Sequence, residues 1–85
     1  MEKFDPEIRS AYLLISINDI RDKYFGNEEL NQEEVLALAN YDKFRLEYLN
    51  GSENEKDFDE RYFRLLVMAN LYSYKDFLDY NKIQP

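Results

Sequence analysis

Three stretches of the chain repeat their apolar residues at helical spacing, with polar punctuation between them. The first opens at Asp5-Pro6-Glu7. There Asp can accept from free N–H groups, Pro is tolerated at the first helical position and Glu suits the positive end of the dipole. The pattern predicts a helix over about 6–25, stopped at Gly26 in the left-handed conformation that favours glycine. The second start is Leu30-Asn31-Gln32-Glu33-Glu34-Val35, with Asn31 as cap, Glu34 completing a capping box and Leu30 stapling to Val35. It predicts a helix over 32–50 that ends at Asn50-Gly51. The third start is open between two boxes, Ser52 with Glu55 and Asp57 with Glu60. Its helix is expected over about 55–80, leaving 81–85 as a frayed tail. Together these predict a single all-α domain over 1–85, a small three-helix up-down-up bundle that dimerisation could complete.

Each helix carries more than one apolar stripe. In the first, Leu13, Ile17, Ile20 and Tyr24 lie on one side and Ile8, Tyr12 and Ile15 across from them. In the second, Val35, Leu38, Ala39, Leu46 and Leu49 form an aliphatic stripe interrupted by Asp42, while Tyr41, Phe44 and Tyr48 form an aromatic one. In the third, Phe58, Tyr62, Leu65, Ala69 and Tyr72 stand roughly opposite Phe63, Val67, Leu71, Tyr74 and Leu78. A surface helix needs one apolar arc somewhat over 100° wide. Two readings follow. Each helix of a bundle touches two neighbours, which widens the buried arc; alternatively the second stripes are docking surface. On the docking reading the aliphatic stripe of the second helix faces the core. The contact surface is then Tyr41, Phe44 and Tyr48 with Phe63, Val67, Leu71 and Tyr74. Asp42 is expected at the edge of its stripe, against water or an arginine.

Composition narrows the chemistry. Cys, His, Trp and Thr are all absent, which excludes disulfides, Cys/His zinc sites and any thiolate or imidazole mechanism. No glycine-rich phosphate loop, nucleophile elbow or EF-hand loop is present. The i, i+3 carboxylate pairs Asp19/Asp22 and Asp76/Asp79 read as ordinary acidic helix faces. The expectation is a protein that is not an enzyme and takes no cofactor or metal. Eight Tyr and six Phe in 85 residues favour a protein–protein role, because aromatics are enriched in interface cores.

Charge and hydropathy set the remaining expectations. The formal net charge of −7 argues against a nucleic-acid partner. The longest apolar run, Leu65 to Ala69, is far shorter than the ~20 residues that span a bilayer, and the acidic start does not resemble a signal peptide. A cytoplasmic location without membrane contact is expected. The acid-rich runs Asn27–Glu34 and Glu53–Glu60 raise a different idea, a decoy of nucleic acid for a DNA- or RNA-binding protein. An up-down-up bundle puts the two runs at opposite poles, whereas a duplex mimic needs one continuous track. The leading expectation is therefore an adaptor, inhibitor or immunity- or antitoxin-like partner, with a homodimeric structural bundle as its alternative.

Overall fold

The computed structural model describes residues 14–85, and the described part is an all-α three-helix bundle. Helix α1 spans Ile17–Phe25, α2 Gln32–Asn50 and α3 Glu55–Leu71, followed by short 3-10 turns at Tyr74–Phe77 and Tyr80–Lys82. The Asp5-Pro6 start lies outside the described residues.

The predicted 6–25 helix is not continuous, because residues 14–16 are non-helical and Ser16 caps α1 in an extended conformation. The Ser16 hydroxyl accepts from the Asp19 N–H at 3.2 Å. The Asp19 carboxylate accepts from the Ser16 N–H at 2.9 Å. This is a reciprocal box that satisfies two otherwise free donors. At the other end Gly26 stays right-handed (φ −85°) and Asn27 takes the left-handed position (φ 63°). The Asn27 N–H donates to Tyr24 O and the Glu28 N–H to Lys23 O, the Schellman pattern. Asparagine tolerates that backbone better than other side chains do.

Helix α2 has the predicted bounds, and Asn31 and Glu34 form the predicted box. Helix α3 begins at the predicted residue through a different cap. The Asn54 side chain accepts from the Asp57 N–H at 2.8 Å, and the Asp57 carboxylate accepts in turn from the Glu53 N–H at 3.0 Å.

Helix α3 stops at Leu71, well short of the expected residue 80. Tyr72 turns extended, and the Ser73 hydroxyl accepts from the Lys75 N–H to open the first 3-10 turn. The tail then folds back on α2. The Asn40 amide donates to Phe77 O at 2.8 Å, and the Tyr80 hydroxyl bonds the Glu47 carboxylate. The expected frayed tail is thus held as far as Ile83, which is buried in the core cluster, and only Gln84 and Pro85 beyond it are exposed.

Helices α2 and α3 are antiparallel, as the pairing of Tyr41 with Leu65 and of Tyr48 with Arg61 requires. The core they share with α1 and the tail consists of Ile17, Ile20, Ala37, Tyr41, Leu65, Met68, Ala69, Tyr74, Phe77 and Ile83. Helix α1 has only 9 residues against 19 in α2. At 1.5 Å per residue it can flank about half the length of its neighbour.

Candidate docking surface

The two faces of α2 are exchanged relative to the sequence expectation. Tyr41 is 2% exposed and belongs to the core. Its ring meets Phe77 edge to face at 5.4 Å, and its hydroxyl donates to Leu65 O at 2.9 Å. Glu34, Ala37, Tyr41, Phe44 and Tyr48 form the inward stripe at alternating steps of three and four. Phe44 and Tyr48 are half-buried, stacked with ring centroids 5.3 Å apart and packed against the core. Arg61 lies over the Tyr48 ring and donates to Tyr48 O at 2.7 Å, which caps the C-terminal end of α2. Tyr41, Phe44 and Tyr48 are therefore not a free docking face.

The same correction applies to Tyr74, which is buried and whose N–H donates to Ile15 O at 2.7 Å. It leaves the expected stripe of the third helix because the helix ends before reaching it. Within α3 Phe63 is 65% and Leu71 67% exposed, with Val67 half-buried between them, whereas Leu78 lies beyond the helix and is half-buried against the core.

The aliphatic stripe expected inside α2 faces outward instead. Val35 is 51% and Leu46 53% exposed, Ala39 is exposed, and Leu38 and Leu49 are half-buried along the inner margin. With Tyr24 and Leu30, the residues Val35, Leu38, Ala39 and Asp42 line an open, mostly apolar groove of about 390 Å³. Asp42 sits at its edge, as expected, with Arg21 Nη2 2.8 Å from its carboxylate. Tyr24 and Leu30 join this groove although neither was expected on a docking surface. Their signal was the helix stop at Gly26 followed by the hydrophobic staple, which together bring the end of one helix beside the start of the next.

Beneath this face lies an ion pair that fixes α1 to α2. Glu34 is buried, its carboxylate 2.8 Å from Lys23 Nζ and accepting from the Asn31 N–H at 3.0 Å. The hydrogen bond from Lys23, and then that from Asn31, hold the Glu34 carboxyl below its ordinary value of 4.5. A depressed carboxyl contributes stability that is complete above the unfolded value and is lost as pH falls through the folded one. Glu34→Gln is thus expected to lower Tm at pH 7, and the gap from the unsubstituted chain should close on acidification below about pH 4.5. Thermal melts of the two chains between pH 7 and pH 2 test this; a gap independent of pH would show that the charge contributes nothing.

Among the described residues no cluster of three or more His, Cys, Asp or Glu side chains is placed to hold a metal ion. No helix among them is long and apolar enough to cross a membrane. The two acidic runs lie at the starts of the antiparallel helices α2 and α3, hence at opposite ends, and two of their carboxylates are already engaged, Glu34 by Lys23 and Asp57 by Arg61. Comparisons with protein-family models, with curated proteins and with solved structures find no match for this chain.

Proposed function

We propose that this protein acts by protein–protein contact, as an adaptor or inhibitor that receives an amphipathic, basic helix of another protein along α2. The observation that carries the proposal is the outward strip Val35, Ala39, Asp42, Leu46 and Leu49, in which Val35, Ala39 and Leu46 are exposed and Asp42 and Leu49 half-buried. Its alternating steps of four and three residues are the spacing with which one helix seats against another. A strip of this kind, continued into the groove beside Tyr24 and Leu30, is the helix-in-groove mode of recognition.

Charge selects the occupant. The chain carries a formal net charge of −7, and Glu28, Glu29 and Glu33 stand exposed beside the upper end of the strip. A basic partner is steered toward such a surface, and a second acidic copy is repelled from it. Asp42 lies at the midpoint of the strip with its carboxylate paired to Arg21, so the attraction for a basic helix comes from the exposed glutamates at the strip's upper end. The expected setting is an intracellular, soluble one, in keeping with the acidic surface.

The test combines solution mass with a mapped titration. Light scattering over a hundredfold concentration range is expected to give a monomer. A Leu/Lys amphipathic helical peptide should then shift the NMR signals of Val35, Ala39 and Leu46, and Val35→Asp with Leu46→Asp should abolish those shifts while leaving Tm nearly unchanged. Exposed substitutions of this kind ordinarily alter stability by about 0.5 kcal/mol or less. A dimer dissociated by the same pair of substitutions would give the face to a second copy and overturn the foreign partner. Shifts confined to the acidic helix starts would overturn the face itself.

A further inference from the structure

Asn50-Gly51 closes α2 and opens the loop that leads into α3, and both residues are exposed. In this pair a side-chain amide precedes a residue with no side chain. Nothing on Gly51 then hinders its backbone nitrogen from reaching the amide carbon of Asn50. Backbone conformation does not call for glycine here, since Gly51 is right-handed at φ −81°. Space does: a Cβ at this position would stand 3.0 Å from Arg61 Nη1. The same guanidinium donates to Tyr48 O at 2.7 Å and lies over the Tyr48 ring. Arg61 thus reaches from α3 across the end of α2 and holds its last turn shut.

We propose that Asn50 is a site of spontaneous deamidation, and that Arg61 sets its rate by keeping the last turn of α2 closed. The Gly51 nitrogen bonds to the Asn50 side-chain carbonyl carbon, and the amide nitrogen leaves as ammonia with the Gly51 proton. The cyclic imide so formed takes up one water and opens to aspartate or isoaspartate. The folded chain opposes the first step in two ways. The Gly51 N–H is engaged with Glu47 O at 3.2 Å. The helical backbone at Asn50 also turns the Gly51 nitrogen away from the side chain it must meet. From the loop side, the Ser52 N–H and hydroxyl both bond Leu49 O, at 3.0 and 2.6 Å, and tie the same turn. Reaction must wait for this turn to open, so its rate follows the local opening equilibrium. The product does not close again as before. Isoaspartate adds a methylene to the main chain, and either product adds a negative charge at the negative end of the α2 dipole. Deamidation is therefore a one-way loosening of the connection between α2 and α3. It needs no partner, and so stands apart from the docking strip.

The test follows the chain through prolonged incubation at mildly alkaline pH, by peptide mapping for the amide-to-acid mass gain and by an isoaspartate assay. The chain unfolded in urea is the reference for the unprotected rate. Conversion at Asn50 is expected to be slow in the folded protein and fast in urea. Arg61→Ala should hasten it about tenfold in the folded state, the population change that goes with losing one hydrogen bond from a charged donor. Amide exchange at Gly51 should rise by the same factor while that of Leu65, in the core, stays unchanged. Ser52→Ala removes only the hydroxyl bond to Leu49 O, and is expected to give a smaller increase of the same kind. It serves also if Arg61→Ala fails to fold. A folded Arg61→Ala protein that converts no faster than the parent would overturn the role of Arg61. Equal rates in the folded parent and in urea would show that the turn gives no protection and overturn the proposal. Exchange that rises as much at Leu65 as at Gly51 would do the same, by tracing the gain to global unfolding.

Discussion

Phe77→Ala is expected to unfold the protein or to lower its Tm by at least about 12 °C, taking about 3–5 kcal/mol for a buried Phe→Ala change and about 4 °C or more per kcal/mol. Phe77 is fully buried, although it belongs to a four-residue 3-10 turn near the end of the chain. Its ring meets Tyr41 at 5.4 Å and Tyr72 at 6.3 Å, and its carbonyl accepts from Asn40. Deleting the ring leaves a cavity where the tail, α2 and the end of α3 meet. A chain this small buries a modest share of its surface, so the loss is a large part of its whole stability. Circular dichroism melts decide the matter. A Tm within a few degrees of the unsubstituted chain would show that the tail only rests on the bundle.

Tyr41→Ala should destabilise to a similar degree, and Tyr41→Phe by about 0.5–1.5 kcal/mol, the usual net worth of one hydrogen bond. The pair separates two contributions, the ring against Phe77 and Arg21 and the hydroxyl to Leu65 O. The hydroxyl adds a signature in alkali. Burial pushes the Tyr41 phenol above its ordinary value of 10, with Arg21 and Arg45 opposing. The folded protein then keeps a proton that the unfolded chain gives up, so stability falls as pH rises past about 10. An ultraviolet titration should show a late tyrosine component that is missing in Tyr41→Phe. A Tyr41→Ala protein as stable as the parent would return Tyr41 to the surface, where the sequence had suggested it.

The legible parts of this fold were those written in capping chemistry. Asn31, Glu34 and Leu30 announce α2, and its bounds follow. The two caps that the apolar pattern does not announce, Ser16 and Asn54, share one feature: both are answered by Asp where the familiar box has Glu. Asp19 answers Ser16, and Asp57 answers Asn54 by reaching the N–H of Glu53. A shorter carboxylate does the same work, and a search for Ser/Thr-x-x-Glu passes over it.

The phase of α2 was harder to read for a physical reason. Its inner stripe contains Glu34, whose charge is matched by Lys23 from another helix and is therefore invisible to a pattern of apolar residues. Removing Glu34 from consideration leaves the aliphatic stripe as the better core, and that stripe is the one left outside. Of the docking residues proposed from sequence, Phe63 and Leu71 are exposed, whereas Tyr41 and Tyr74 are core. The replacements, Val35, Ala39 and Leu46, had been assigned to the interior. Two-sidedness was legible; which side faces in depended on partners distant in sequence.

The return of the tail across α2 also has a consequence for how the molecule is made. Phe77 and Ile83 complete a core whose other members, from Ile17 to Tyr74, have already been synthesised. Until residues 74–83 have left the ribosome, the core around Tyr41 is incomplete and the α2–α3 hairpin keeps part of its apolar interior open. Contacts such as Asn18 with Asn70, 52 positions apart, and Asn40 with Phe77, 37 apart, are non-local, and non-local pairing slows folding. The nascent chain is thus most exposed to aggregation and to chaperones just before the turn carrying Phe77 reaches α2.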